Sequence, residues 1–370
     1  MTSAGDALRA AILADPDDDT ARLVYADWLE ENGRADRAAF VRAQVEAARA
    51  EPHGPQARAA ALRANALLNR PNNWKAWTDA VRDRVLDLRF ERGFVEHVDA
   101  EPGAFLHAAE DVFAEHPVRS LRLVPHSNPE YRTGLAPVFD LACLRRLRRL
   151  AFAPRTEFLY DDYGALEASP HLAGLTDLTL AGCPLHLSWL EDLLRGEQFP
   201  ALAGLDVSDV THAGPTVAVA VAQADHRELR RLDVSRVAFT SEHLLQILHA
   251  RCLRRVEELR LGWAALRADD HGPLYHLNIG WVLPWERLTL LDLTGQRLGD
   301  EGVKEIVAKR EAAPLRWLGL ADNWLTPEGA RMLVAAKHLS LHHLDVRRNN
   351  LAPSHLAALR ERFPDAVVLG

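Results

Sequence analysis

Apolar and polar residues alternate in three short segments near the C-terminal end of the chain, and each alternation stops at an Asn or Gln. Such alternation is typical of a short, half-buried strand that ends in a turn. We expect the amide side chain to satisfy backbone groups at the bend. A helical pattern follows each segment, and after the second one Thr326 can cap a helix with Pro327 at its first position. The segments span residues 288–298, 315–325 and 341–351, with turn residues Gln296, Asn323 and Asn349.

The same pattern recurs through most of the chain. Its central leucines follow one another at intervals of 26 to 32 residues. A strand, a turn and a helix at a fixed period resemble the leucine-rich repeat, and the interval resembles its ribonuclease-inhibitor-like subclass. The resemblance implies an α/β solenoid with a parallel concave sheet and convex helices, closed by a last strand at residues 367–369. The central leucines are Leu121, Leu150, Leu178, Leu205, Leu232, Leu259, Leu291, Leu318 and Leu344.

Residues 5–50 carry apolar residues at helical spacing and predict a small module of three helices. The acidic run Asp15–Asp19 lies before the second helix. A calcium loop would need a Gly at its sixth position and a Glu at its twelfth, where this chain has Thr20 and Ala26. We therefore interpret the run as helix-capping residues that the helix dipole favours.

This stretch, from the PDDD run through RLVYADWLEE to Gly33 and Arg37–Gln44, resembles the bacterial repeat-companion domain over residues 4–48. The resemblance implies a bacterial protein with a repeat array downstream and carries no activity. The expected domains are a helical companion domain at 1–50, a helical connector and N-terminal cap at 51–84, and a solenoid of about ten repeats at 85–370. We expect Trp74 and Trp77 to pack in the cap and the first repeat strand to span residues 85–90.

Composition narrows the partner class. The net charge of −8 argues against nucleic acid or an anionic membrane as a partner. Three distant cysteines without a CxxC pair favour reduced thiols in the cytoplasm, with Cys183 as a packing residue. We find no signal peptide and no apolar run of about 20 residues, and we expect no cofactor and no metal.

Residues that alternate with the leucines should face the concave surface. Asp206 and Asp233 would then lie about 4.8 Å apart on neighbouring strands, close enough for acid–base or metal chemistry. Because Leu-Asp-Leu-Ser resembles the ordinary filler of this repeat subclass, we favour a structural role that also suits a basic partner. Trp317 fits either a contact residue or packing against the neighbouring strand. The candidate partner-binding residues of this face are Asp206, Asp233, Arg260, Asp292, Trp317, His343 and Asp345.

Two irregular connections, at residues 154–163 and 263–285, are rich in aromatic side chains. Longer insertions in repeat arrays lie on one rim and often carry recognition. The alternative is that these aromatics fill the core where the repeat is irregular. The candidates are Tyr160, Tyr163, Trp263, Trp281 and Trp285.

The sequence therefore predicts a non-catalytic, monomeric scaffold that binds an unknown protein through the concave sheet and the aromatic rim. A regulator of a partner enzyme, of the inhibitor or GTPase-activator type, is the alternative. An intrinsic enzyme is a third possibility, because the paired aspartates could act as acid and base.

Overall fold

The computed structural model describes residues 4–52, 54–128, 133–210, 213–263 and 282–370. It divides into two compact units. Unit 1 comprises residues 1–151 and 158–174, and unit 2 comprises residues 152–157 and 175–370. This division follows packing and does not test the predicted boundaries at residues 50 and 84, which stay a prediction.

Unit 1 begins with the predicted helical module. The first three helices share an apolar core in which Ile12, Leu29 and Val41 are almost fully buried. Phe94, from outside the module, packs into the same core. The elements of unit 1 are helices α1 (Ala4–Ala14), α2 (Asp19–Glu31), α3 (Ala35–Arg49), α4 (Pro55–Leu68), α5 (Asn73–Thr78), α6 (Pro102–Glu115), α7 (Ala136–Phe139) and α8 (Tyr160–Ala168) and strands β1 (Asp87–Glu91), β2 (Phe94–Ala100), β3 (Ser120–Leu123) and β4 (Arg149–Phe152), whose last residue belongs to unit 2.

The acidic run caps α2, as predicted. The Asp18 side chain accepts a hydrogen bond from the backbone N–H of Thr20 at 2.8 Å. Asp19, the first helical residue, pairs with Arg49 at 2.8 Å. Capping and ion pairing thus account for the acids at this helix start.

The expected first repeat strand is one arm of a hairpin. β1 runs antiparallel to β2, with Leu88 opposite Val98. β2 then runs parallel to β3, with His97 opposite Ser120, so β2 is the first parallel strand. β2 was not predicted, because the turn of the hairpin, Arg92–Gly93 with both residues at positive φ, lies inside the interval assigned to one repeat.

Trp74 departs from the expectation that it packs. Its side chain is 42% exposed and meets Phe90 only edge-on, with ring centroids 6.0 Å apart. Trp77 is the better packed of the two tryptophans, since it lies 4.9 Å from the ring of Phe40. The short helix α5 turns one indole inward and leaves the other at the surface.

Unit 2 repeats a strand, a turn and a helix. Its strands β5 to β12 pair in parallel and in register, so the central leucines lie opposite one another. Every predicted central leucine lies in a strand and is at most 2% exposed. The elements are strands β5 (Asp177–Thr179), β6 (Gly204–Asp206), β7 (Arg231–Asp233), β8 (Glu258–Arg260), β9 (Leu290–Asp292), β10 (Trp317–Gly319), β11 (His343–Asp345) and β12 (Val367–Leu369) and helices α9 (Leu187–Arg195), α10 (Gly214–Gln223), α11 (Ser241–Leu248), α12 (Gly299–Ala308), α13 (Pro327–Ala335) and α14 (Pro353–Arg362).

The turn amides act as predicted. Asn323 accepts hydrogen bonds from the backbone N–H groups of Gln296 and Leu298 at 3.0 and 3.2 Å. Its amide nitrogen donates to the carbonyls of Leu293 and Ala321 at 2.8 and 3.1 Å. One buried side chain thereby satisfies four backbone groups. These repeated units confirm the predicted fold class, an α/β leucine-rich-repeat solenoid preceded by helices.

Candidate functional site

The sheet of unit 2 carries a row of mostly acidic residues that alternate with the central leucines, which we call the polar stripe. Because β6 to β11 pair in register, the third residue of each strand lies beside the third residue of the next. We call the exposed side of β5 to β11 the sheet face. Its third-position residues are, in order from β6, Asp206, Asp233, Arg260, Asp292, Gly319 and Asp345.

Each aspartate of the stripe has a structural task that the sequence pattern does not reveal directly. The Oδ1 atoms of Asp206, Asp233 and Asp292 each accept a hydrogen bond from the backbone N–H two residues later, at 2.9 Å. Such a bond shapes the chain as it leaves the strand. The filler role that the sequence analysis favoured is therefore supported, and the second carboxylate oxygen is left for other contacts.

The carboxylates differ in charge environment. Burial raises the pKa of Asp233, and the nearby charge of Asp206 raises it further. Arg260 lies 3.9 Å from Asp233 and compensates only in part. Asp345 is the opposite case: burial acts to raise its pKa, but hydrogen bonds from Arg347 at 3.0 and 2.6 Å hold that pKa below its usual value. The carboxylates of Asp206 and Asp233 thus share a negative charge that Arg260 compensates only in part.

A shallow cleft on the same face was missed. Gly204 lies between Asp177 and Arg231 in the strand register, and the two side chains meet over it with Nη2 2.6 Å from Oδ1. A Cβ atom at Gly204 would collide with the Asp177 carboxylate. The cleft has a volume of about 180 Å³ and extends to Asp233. A glycine at a first strand position was the signal that could have located it.

An aromatic cluster occupies the other end of the face. The rings of Trp317 and His343 stack with centroids 4.8 Å apart and an angle of 6° between their planes. The guanidinium carbon of Arg260 lies 5.4 Å from the Trp317 ring centroid. All three side chains are half-buried, so the sheet brings together three predicted residues while leaving part of each at the surface.

The predicted rim residues differ in how far they are exposed to solvent. Trp285 is only 3% exposed and therefore fits the core-filling alternative, whereas Trp263 is 37% exposed. Tyr163 is half-buried and stacks on Phe158 at 4.8 Å. Trp281 and the side chain of Tyr160 lie outside the described residues.

A buried carboxylate anchors the start of α8. Asp162 is 2% exposed, and its Oδ1 accepts hydrogen bonds from the backbone N–H groups of Leu135 and Ala136 at 2.9 Å. Its Oδ2 accepts another from Leu159 at 2.8 Å. This acid, which the sequence analysis grouped with the rim, holds two chain segments of unit 1 together.

The cysteines fit packing roles. Cys183 and Cys252 are buried, Cys143 is half-buried, and burial raises the pKa of each thiol to about 11. The Cys183 thiol contacts the Ala153 carbonyl oxygen at 3.5 Å. A thiol that stays protonated at neutral pH is a poor nucleophile. Within the described ranges no group of three His, Cys, Asp or Glu residues could hold a metal ion, and no helix is long and apolar enough to cross a membrane.

No protein-family model matches the chain, and no curated protein matches it. Similar solved structures include an internalin from Listeria monocytogenes, with 13% identity, a TM-score of 0.37, and coverage of 72% of this chain and 69% of that chain. Another is the Rad7–Elc1 complex of yeast, with 17% identity, a TM-score of 0.49, and coverage of 74% of this chain and 68% of that chain.

Proposed function

We propose that the sheet face of unit 2 recognises a protein partner and that the chain acts as a non-catalytic scaffold. The observation that carries this proposal is the half-exposed cluster of Trp317, His343 and Arg260. Aromatic and arginine side chains at the centre of a surface dominate the binding energy of protein interfaces. Since the cluster is already ordered by stacking, little side-chain entropy remains to be lost on binding.

Charge suggests the chemistry of the partner. Acids outnumber arginines at the first and third positions of β5 to β11. Asp206 and Asp292 make no ion pair within the described parts of the chain, so their free oxygens remain available to a partner. A basic protein surface would complement this face and would be steered toward it.

The finer predictions belong to the same proposal. The interval between the central leucines and the helices between the strands favour the ribonuclease-inhibitor-like subclass. The residues quoted above favour a companion domain at residues 1–50, a bacterial source and a cytoplasmic, monomeric protein that binds neither nucleic acid nor membranes. Tyr163 and Trp263 stay candidate rim contacts, as do Tyr160 and Trp281.

The test is affinity capture from native lysate with a matched pair of tryptophan variants. Trp317→Ala removes the aromatic cluster, whereas Trp324→Ala removes an indole that is 59% exposed and lies beyond β10. We expect the captured protein to be lost with Trp317→Ala and retained with Trp324→Ala, with equal melting temperatures of both variants. Equal capture by both variants would remove the sheet face from the proposal.

Purified partner then separates scaffold from regulator. A regulator of the inhibitor or GTPase-activator type should change the partner's catalytic rate at stoichiometric addition, and Trp317→Ala should abolish that change. A scaffold should leave the rate unchanged while forming the same complex. An intrinsic enzyme should lose turnover with Asp233→Asn while still binding its substrate.

A further inference from the structure

A large cavity in unit 1 lies outside the sheet face. Its volume is about 750 Å³, within the range of small-molecule sites in proteins. Helices α1, α2, α3, α5 and α6 each contribute to its wall. Tyr25, Leu29, Trp77 and Phe94 supply an apolar and aromatic lining.

The wall also holds Arg37, an arginine that makes no ion pair with a carboxylate of the described residues. Arg37 lies over four aromatic rings, the nearest being Trp77 at 4.8 Å. Its Nη2 donates to the Gly93 carbonyl at 2.5 Å, while Nη1 is buried without a hydrogen-bond partner. Burial lowers the Arg37 pKa to about 10, which leaves the guanidinium charged at neutral pH. A buried, charged donor without a counter-ion is costly, so a negative charge nearby would be stabilising.

A histidine in the same wall responds to this positive charge. His116 is 8% exposed and its Nδ1 is buried without a partner. Burial, together with the smaller effect of the charges of Arg37 and Arg9, lowers its pKa to about 3. The imidazole is therefore neutral, and its Nδ1 can donate or accept one hydrogen bond, depending on the tautomer.

The first turn of α3 lines the cavity as well. Residues 33–37 form part of the wall, and the N-cap residue Arg34 makes no side-chain cap hydrogen bond. Free N–H groups and the helix dipole make such a turn favourable for an anion. The helix end, the Nη1 of Arg37 and the Nδ1 of His116, both buried without a hydrogen-bond partner, together favour a negative charge in the cavity.

The acids in the wall are already engaged and limit how much charge a ligand can carry. Glu115 pairs with Arg9 at 2.5 Å, and Asp36 pairs with Arg70 at 2.5 Å. Asp79 pairs with Arg82 at 3.1 Å. These carboxylates leave the Arg37 charge uncompensated, yet they would repel a dianion such as a phosphate monoester more strongly than a monoanion.

We propose that this cavity binds a monocarboxylic acid with an aromatic or apolar body, its carboxylate facing the first turn of α3 beside Arg37 and His116. The aromatic lining accommodates the body of the ligand. The same chemistry is offered by a free small acid and by the C-terminal carboxylate of a peptide. The proposal is independent of recognition by the sheet face.

The test is calorimetric titration of the full-length chain with 3-phenylpropionate and its neutral amide. We expect saturable binding of the acid and at least about tenfold weaker binding of the amide. A tripeptide ending in phenylalanine, as free acid and as amide, distinguishes the two sources. Tighter binding of the peptide acid than of 3-phenylpropionate assigns a peptide terminus, and the reverse order assigns a free acid.

Variants tie the binding to the wall. Arg37→Gln should weaken binding of the acid at least about tenfold. Arg84→Gln, which removes an exposed arginine outside the wall, should leave it unchanged. If Arg37→Gln fails to fold, Arg34→Gln at the exposed N-cap should weaken binding of the acid more than that of the amide.

The pKa of His116 gives a second measurement of ligand binding. The bound carboxylate should raise the His116 pKa, measured by NMR of the imidazole protons with and without 3-phenylpropionate. Equal affinity for acid and amide, no binding of either, or displacement of the acid by lower concentrations of inorganic phosphate would each overturn the proposal.

Discussion

The two units differ in how deeply they bury their ion pairs. In unit 1 the Arg22–Glu96 pair is 2.7 Å long with side chains 0% and 1% exposed, whereas the Arg231–Asp177 pair of unit 2 is 40% and 27% exposed. Unit 2 can repeat one backbone solution, since its strands and turns recur. Unit 1 joins dissimilar elements, so each junction needs its own polar contact. We infer that buried ion pairs stabilise the irregular connections of unit 1. Turn amides such as Asn323 stabilise the regular repeats of unit 2.

The largest effect should come from breaking the buried pair. Arg22 donates to the Arg92 and Pro16 carbonyls at 2.9 and 2.7 Å, in addition to pairing with Glu96. Arg22→Leu leaves the buried Glu96 carboxylate with Arg92 as its one ion-pair partner among the described residues and should cost about 3 to 5 kcal/mol of unfolding free energy. Urea denaturation measures this loss.

The double variant Arg22→Leu with Glu96→Leu is the control. Without a lone buried charge, it should recover part of the stability that Arg22→Leu loses. A double variant less stable than Arg22→Leu would mean that the backbone hydrogen bonds of Arg22, and not its charge partner, hold unit 1 together.

We expect the second largest loss of stability from removing the turn amide of Asn323 in unit 2. Asn323→Ala would leave the backbone groups of Gln296, Leu298, Leu293 and Ala321 without their side-chain partner and should cost about 3 kcal/mol. Chemical denaturation gives the free energy.

Asn349→Ala is the matched control at the next turn. Asn349 is half-buried, so water can replace part of its bonding, and the loss should be smaller. Equal losses at both turns would show that burial does not set the value of these amides.

The difference between the units also explains what the sequence could predict. The strands of unit 2 could be predicted from their central leucines, because each repeat buries a leucine at the same position. Leu205, Leu232 and Leu259 are examples. Asn323 follows the same logic. The sheet-face positions of Asp206 and Trp317 were therefore predictable from the register alone.

The features that the sequence could not predict each depend on a single contact that does not recur along the chain. The pairing of Asp177 with Arg231 needs Gly204 between them, and no period indicates that two side chains meet across a third strand. Arg37 and His116 are far apart in sequence and became neighbours of one cavity only through packing. Trp285 could equally have been surface or core, since an aromatic residue in an irregular connection fits both.

Acid should weaken unit 1 through His116, whose imidazole takes up a proton on unfolding. Its folded pKa of about 3 lies below the ordinary 6.5, so below pH 6.5 the unfolded chain binds a proton that the folded chain refuses. Stability should therefore fall as pH drops from about 6.5, with a slope approaching 1.4 kcal/mol per pH unit. Urea denaturation between pH 7 and about 5 measures the slope.

His116→Gln removes this titration and should flatten the curve in that range. Glu91, whose pKa hydrogen bonding from His97 lowers from 4.5 to about 2, contributes stability that is lost only below pH 4.5. Of these two groups, only His116 therefore changes the stability of unit 1 between pH 7 and about 5. An unchanged slope in His116→Gln would assign the acid sensitivity to another group.

The smallest effect should be at Gly204. An alanine there must push the Asp177–Arg231 pair aside, but a half-exposed pair contributes at most about 1 kcal/mol, and alanine regains about 0.5 to 1 kcal/mol of backbone entropy. The net change should stay within about 0.5 kcal/mol by urea denaturation. Gly262→Ala, in the turn after β8, is the control, because its Cβ would lie 3.1 Å from Asp292. A loss above about 1.5 kcal/mol only at Gly204 would mean that charge pairs also hold the repeats together. That result would end the distinction between the two units, because exposed and buried pairs would then stabilise them alike.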